Sequence, residues 1–350
     1  MARIILQPSG KSVECGWGDT VLTALEKAGY ALPNNCRAGA CGECKVKVVS
    51  GQFDQGVVLD MALSPDERRQ GYGLMCMAKP ISDELTIEWG TADAQPKLFP
   101  PREGALFVVV DKRALTPRVV ELRLRPVGQP LRYWPGQYVT LGDARDGAPP
   151  RAYSIANAPR PDGEIALQVA RAEGGATSAW IHDRLRTGSA VKLSGAYGTF
   201  IGDPSVSTPV LCLAAGTGLA PILALTEAAL RRGYRAPVAL LISARTETDV
   251  YGGGLLEWWR TRHRNFDHRI TLTREQRDGY LHGRVDQVLP ALYPDLSRHS
   301  VFAAGSPEFV DACRTSALAL GADSGRMHIE RYFAQQQAEV PPHDRLLHGW

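Results

Sequence analysis

Hydrophobic and polar positions along the chain fall into three successive patterns. In the first, Arg3 to Leu6 reads as a strand, and Val21, Leu22, Leu25 and Ala28 recur at helical spacing between a cap at Asp19 and a stop at Gly29. Strands near Lys45 to Val49 and Leu85 to Glu88 and a short helix at Pro65 to Gln70 complete this unit. Thr91 to Pro101, TADAQPKLFPP, is proline-rich and aperiodic, which predicts a domain over 1–92 and a linker over 93–103.

The second pattern, over 104–204, is a series of short strands: Leu106 to Val110, Val119 to Leu124, Gln137 to Leu141, Ile165 to Ala170 and Ala190 to Leu193. Turn signals at Pro135-Gly136 and Asp162-Gly163 separate them, with one helical stretch at Thr177 to Arg186, so a small antiparallel barrel is predicted. The third pattern, over 205–340, alternates apolar strands with helices. Its strands at Pro209 to Ala214, Val238 to Ile242, Arg269 to Thr273 and Ser300 to Ala304 imply a parallel α/β sheet. Residues 341–350 read as a tail. The expected class is therefore multidomain, α+β followed by α/β.

Forty basic against 37 acidic residues leave a net charge of +3, too balanced for a dedicated nucleic-acid binder. The longest near-apolar run, Val210 to Leu225, is interrupted by Gly216, Gly218 and Pro221 and is shorter than the roughly 20 residues of a membrane span. No secretory signal opens the chain, so a cytoplasmic protein with no membrane partner is expected.

Seven cysteines, an odd number, do not make a disulfide framework in that compartment. Cys36, Cys41 and Cys44 stand as C-x4-C-x2-C, and Cys76 follows at a distance, which is the spacing of a plant-type 2Fe-2S ferredoxin. One loop supplies three thiolates and a fourth returns to complete two tetrahedral irons. Gly39 and Gly42 lie inside the loop, where a missing Cβ lets amides turn toward sulfur. A structural zinc site is the competing reading, but it usually shows paired C-x2-C knuckles and only one is present. Cys15, Cys212 and Cys313 are isolated and read as small core residues.

Further motifs carry nucleotide chemistry. Val210 to Ala215 runs into Gly216-Thr217-Gly218 and a helix containing Pro221, a setting in which helix N-terminal amides meet a pyrophosphate. Arg151-Ala152-Tyr153-Ser154 offers a phosphate partner, a ring to stack and a hydroxyl for a ring nitrogen. Gly174-Gly175-Ala176-Thr177-Ser178 opens a second helix that could hold a pyrophosphate, and the two together suggest a flavin.

These motifs, with Ser194-Gly195-Ala196-Tyr197-Gly198-Thr199-Phe200 and Ala304-Gly305-Ser306-Pro307, occur in the order seen in the ferredoxin-NADP reductase superfamily. With the N-terminal cysteine module, residues 1 to about 335 resemble the fused reductase components of bacterial aromatic-ring, phenol and methane oxygenase systems. The resemblance implies a β-grasp 2Fe-2S domain, an antiparallel FAD-binding barrel and a parallel NAD-binding domain. It implies that Arg151 contacts the FAD phosphates, that Tyr153 stacks on the isoalloxazine and that Ser154 bonds near N5, making Tyr153 and Ser154 the expected catalytic pair. Gly175, Thr177 and Ser178 would hold the FAD pyrophosphate. Gly216, Thr217, Gly218 and Pro221 would take the nicotinamide dinucleotide, with Gly305, Ser306 and Phe309 lining its nicotinamide side. Ser243 to Thr246 would face the adenosine ribose, followed by an acidic-aromatic pair at Asp249 and Tyr251.

The ending Glu330-Arg331-Tyr332-Phe333 resembles the family's acidic and aromatic terminus, with Phe333 a candidate at the flavin. Ala304, Ser306 and Phe309 depart from the cysteine, proline and methionine of many relatives, and Ala196 from a common proline. Arg245 could bind the 2′-phosphate of NADPH, but no second basic residue lies within Ser243 to Asp249, so NADH is the expected donor. Electrons would then pass from NADH through FAD and the 2Fe-2S cluster to a terminal oxygenase or its ferredoxin. A reductase of CDP-linked deoxysugar synthesis and a non-catalytic redox sensor are the alternative functions.

Overall fold

The structure, a computed structural model, describes residues 1–203 and 205–333. The tail read over 341–350 and the end of the 205–340 segment lie outside the described residues.

The N-terminal unit contains β1 (Ala2–Gln7), β2 (Lys11–Cys15), α1 (Val21–Lys27), β3 (Lys45–Ser50), β4 (Phe53–Asp54), α2 (Pro65–Arg69), β5 (Tyr72–Leu74), β6 (Lys79–Pro80) and β7 (Glu84–Glu88). Five strands form one sheet in the order β2-β1-β7-β3-β5, with β1 parallel to β7, while β4 and β6 pair separately. Helix α1 buries Val21, Leu22, Ala24 and Leu25 in a core shared with Ile4, Leu6, Leu85 and Ile87. This is the β-grasp arrangement. The helix cap differs from the sequence reading. Thr20 accepts from the Thr23 amide at 3.2 Å, and Asp19, one residue outside, instead pairs with Lys27 at 2.8 Å.

Next come β8 (Arg102–Ala114), β9 (Val119–Pro126), β10 (Tyr138–Asp143), β11 (Ala148–Ser154), β12 (Ile165–Ala170), α3 (Ala176–Asp183) and β13 (Ala190–Tyr197). Strand β8 starts inside the span read as linker. The antiparallel order is β11-β10-β13-β8-β9-β12, and a bridge between Ile155 and Leu167 brings its two ends together as a barrel. Phe107, Leu122, Val139, Leu141, Ile155 and Leu167 fill it. Strand β11 is absent from the predicted strands; it contains Pro149-Pro150, a pair that disfavours a central strand. In its sheet β11 pairs only with β10, and prolines, which lack an N–H, are tolerated on such an edge.

The last unit has β14 (Val210–Ala215), α4 (Leu219–Arg231), β15 (Val238–Ala244), α5 (Gly253–Arg262), β16 (Phe266–Leu272), β17 (Leu281–His282), α6 (Val285–Leu292), β18 (Ser300–Gly305), α7 (Pro307–Ala319) and β19 (Met327–Arg331). All pairs in its sheet are parallel, in the order β17-β16-β15-β14-β18-β19, with an apolar cluster on each face. The chain leaves β14 toward β15 on one side and reaches β18 on the other. The end of β14 is therefore the switch point at which open α/β sheets bind ligands. Among the described residues no helix is long and apolar enough to cross a membrane.

Candidate functional site

Cys36, Cys41 and Cys44 lie in the loop between α1 and β3, and Cys76 follows β5, so one loop and one strand end bring the four thiols together. They meet in pairs. Hydrogen bonding between Cys36 and Cys41 pulls the first thiol's pKa down and pushes the second up, and Cys76 and Cys44 are related in the same way. Amides of Ala38 and Ala40 stand 3.4 Å from the Cys36 sulfur, and that of Cys76 stands 3.4 Å from the Cys44 sulfur. Such donors offset the negative charge of a thiolate-bound cluster. Among the described residues no three His, Cys, Asp or Glu side chains converge on a single ion. Two pairs of thiols suit a dinuclear group better than one zinc. At Gly39, φ is +69° and a Cβ would sit 2.9 Å from Val58 Cγ1, so the loop depends on glycine there. The other three cysteines are buried core residues.

Strand β11 ends in Arg151, Tyr153 and Ser154. Among the described residues Arg151 forms no ion pair, and its guanidinium donates to the carbonyl of its neighbour Pro150 at 3.0 Å. Tyr153 packs half-buried on the barrel core, which pushes its hydroxyl up to about 12. Thr177 on α3 donates to the Pro149 carbonyl and ties that helix to β11. Ser178 receives the Ala172 amide at 3.1 Å and donates to Gly175. Among the described residues no side chain caps α3 at Gly175, which leaves its first amides available to an anion. An unpaired arginine, a shelved aromatic ring and an uncapped helix start together fit the phosphates and flat ring of a flavin nucleotide.

Ser154 connects this strand to the far end of the chain. Its Oγ lies 3.2 Å from Glu330 Oε2 and 2.9 Å from Tyr332 Oη. Burial pushes the Glu330 carboxyl up to about 8, against the hydrogen bonds from Ser154 and Tyr332, and raises the Tyr332 hydroxyl well above its usual range. The side chain meeting Ser154 is thus Tyr332, while Phe333 is exposed.

The end of β14 opens into a cavity of about 760 Å³ lined by Gly216, Thr217, Arg245, Asp249, Ser306 and Tyr332, among others. Its size is that of a small-molecule pocket. A Cβ on Gly218 would stand 2.1 Å from the Ala304 carbonyl oxygen, so glycine is what lets this turn pass β18. Pro221 is buried in the first turn of α4, and among the described residues neither the 216–218 turn nor α4 has a side-chain cap. Gly305 accepts the Tyr332 amide at 2.8 Å, and Ser306 caps α7. Phe309 lines the same cavity, as do Ser243 and Tyr251.

Two functional features escape the sequence reading. Arg274 lines the cavity beside Arg245, its amide bonded to the Arg245 carbonyl at 2.9 Å, so a second basic side chain does stand there. The other is the Glu330–Ser154–Tyr332 contact. The acidic-aromatic ending was the available signal for it, but which aromatic turns inward depends on strand register.

Comparison with known proteins finds three family models matching successive parts of the chain. Residues 4–80 match the 2Fe-2S iron-sulfur cluster binding domain, 107–201 the oxidoreductase FAD-binding domain and 212–315 the oxidoreductase NAD-binding domain. The chain is 32% identical over 340 residues to the reductase component DmpP of phenol 2-monooxygenase from a Pseudomonas species, covering 95% of this chain and 94% of that protein. It is 32% identical over 329 residues to the reductase subunit of an aromatic O-demethylase from an Amycolatopsis species, covering 92% and 96%. Among solved structures, the Amycolatopsis cytochrome P450 reductase GcoB superposes with a TM-score of 0.86 at 29% identity, over 95% of this chain and 98% of that one. The paired thiols, the barrel shelf and the switch-point cavity therefore belong to an oxidoreductase of the family of reductase components that fuse a 2Fe-2S domain to FAD-binding and NAD-binding domains.

Proposed function

We propose that this protein is the NADH-dependent reductase of an aromatic-ring or related oxygenase system, working in the cytoplasm and serving the terminal oxygenase or its ferredoxin. One observation carries the reading: a four-thiol site, a flavin shelf and a dinucleotide cavity occur within a single chain whose full-length relatives are oxygenase reductase components. Bound FAD supplies the link between a hydride donor, which gives electrons in pairs, and an iron-sulfur acceptor, which takes them singly.

The chain's residues divide that work. Cys36, Cys41, Cys44 and Cys76 would ligate the irons within 1–92, joined by the 93–103 linker to the flavin domain, 104–204. Arg151 and the α3 amides with Gly175, Thr177 and Ser178 would hold the FAD phosphates, and Tyr153 would fix the ring plane. Gly216, Thr217 and Gly218 would receive the phosphates of the nicotinamide dinucleotide in the 205–340 domain, with Gly305 and Ser306 on its nicotinamide side. Asp249 is the acid available to a ribose hydroxyl, which favours NADH. Burial favours the protonated form of the Glu330 carboxyl at neutral pH, and the buried Ser154 hydroxyl donates to its Oε2.

Anaerobic mixing of the holoenzyme with NADH tests this. The flavin absorbance should bleach, the cluster should then give the signal of its reduced form, and added terminal oxygenase should oxidise the cluster again. No bleaching with NADH or NADPH would refute the reading.

A further inference from the structure

Arg37 stands between the cluster ligands Cys36 and Cys41. Among the described residues it is the one non-glycine with positive φ, 53°. A side chain with a Cβ takes that conformation rarely, and keeps it where its surroundings dictate it. The surroundings here come from two domains. Within its own domain the guanidinium pairs with Glu26, a carboxylate on α1 that is only 3% exposed. Across the boundary it lies over the Tyr197 ring on barrel strand β13, 4.7 Å from the centroid, the geometry of a cation–π contact. Tyr197 donates to Glu103 on β8, and the buried Tyr138 of β10 packs at 5.8 Å from Tyr197. The Tyr138 hydroxyl lies close to the guanidinium without a well-aligned hydrogen bond to it.

The opposite end of the cluster loop is also held. Glu43, between Cys41 and Cys44, accepts from Arg331 Nη1 at 2.6 Å, and Arg331 follows Glu330 on β19. The loop that carries three thiols is thus pinned to the barrel by Arg37 and to the C-terminal strand by Glu43. Neither contact is needed to ligate iron. Both act on the separation between the thiols and the Ser154 region.

We propose that Arg37 is a positioning residue for electron transfer: anchored on Glu26 and seated on Tyr197, it sets the distance and orientation of the cluster loop relative to the flavin-binding barrel. The inference rests on the proposed reading of the two domains. The redox balance is simple. Hydride from NADH carries two electrons and one proton. The electrons leave the flavin one at a time, each converting one ferric ion to ferrous before it passes to the acceptor, and the proton is released. Single-electron transfer falls steeply with distance, so a loosened clasp slows the flavin-to-cluster steps and leaves hydride transfer alone.

The test compares wild-type holoenzyme with Arg37→Gln and Tyr197→Leu by anaerobic stopped flow. In wild type, flavin bleaching by NADH must be followed by cluster reduction; without that sequence the functional reading itself fails. Both variants should retain wild-type iron and sulfide and the wild-type spectrum of the reduced cluster. The ratio of cluster-reduction rate to flavin-bleaching rate should fall several-fold, as expected when two electron-transfer centres move apart or lose their fixed orientation. Arg37→Lys, which keeps the charge but not the planar fork, should fall between. Trypsin supplies a readout independent of turnover: cleavage at Lys97, whose carbonyl is held by Trp134 Nε1 at 2.9 Å, should accelerate in both variants. If Arg37→Gln loses iron, Tyr197→Leu, which leaves the cysteine loop unchanged, decides the matter. Wild-type rate ratios and wild-type proteolysis in Tyr197→Leu would overturn the proposal.

Discussion

The cysteine loop draws three of its four thiols from nine residues of chain, whereas the pocket at Ser154 joins residues 176 and 178 positions apart. The first is a local structure, whose parts are brought together by one domain and a few glycines. The second exists only while the barrel and the nucleotide domain are docked, since Ser154 ends β11 and Glu330 lies on β19. The difference has a chemical side. A cluster needs ligands at set spacing and inward-facing amides, which a loop can encode. A carboxyl that favours its protonated form needs low dielectric, which takes two packed domains to exclude water. Damage to the two regions should accordingly separate, with cluster lesions ending electron export and pocket lesions altering how hydride transfer responds to pH and coenzyme.

The largest effect is expected at the loop. Cys41→Ser should leave the protein without an intact cluster, and NADH-dependent cytochrome c reduction should fall to background. Reduction of ferricyanide, which takes electrons from flavin, should continue. Iron analysis together with the two dye assays checks this. Parallel loss of both activities would mean that the cluster domain also supports flavin binding, and the contrast between local and assembled sites would fail.

That contrast also accounts for what could be read from the chain. The cysteine spacing, the 216–218 turn and the Arg151–Ser154 string were legible because each packs its chemistry into a few consecutive residues. Strand β11 was hidden by Pro149-Pro150, whose cost depends on an edge position that only the sheet order reveals. Arg274 was hidden because it belongs to the loop after β16, and parallel pairing with β15 is what carries it to Arg245. Tyr332 rather than Phe333 reaches Ser154 because side chains alternate along an extended backbone, and register was not available from sequence. The cap at Thr20 in place of Asp19 is a one-residue difference of the same kind. Periodicity locates elements; contacts between elements decide which of two adjacent residues does the work.

A smaller, more selective effect is expected at the coenzyme end. Arg245 and Arg274 line one cavity with Asp249 nearby, so the site offers positive charge to a 2′-phosphate and an acid to a ribose hydroxyl. Arg245→Ala should lower kcat/KM for NADPH by roughly tenfold, the scale of one lost hydrogen bond to a charged group, about 1.5 kcal/mol. The value for NADH should change much less. Equal losses with both coenzymes would place Arg245 outside the 2′ position and leave Arg274 to serve it.

The smallest change in rate, and the sharpest test of the assembled pocket, comes from Glu330→Gln. The amide imitates the protonated carboxyl, which burial favours up to about pH 8, so flavin reduction below that pH should stay near wild type. The signature lies in the pH profile. A carboxyl titrates at about 4.3 in the unfolded chain and near 8 in the fold, so between those values the native state binds a proton that the unfolded state has released. Stability from this group is therefore present at low pH, declines as pH rises across that window and is fully lost above it. Glu330→Gln should remove that part of the decline in Tm and flatten any matching step in the rate of flavin bleaching. A wild-type profile that stays flat from pH 5 to 9 would mean that Glu330 is solvated in the working enzyme, and that docking of the two domains does not keep its carboxyl protonated.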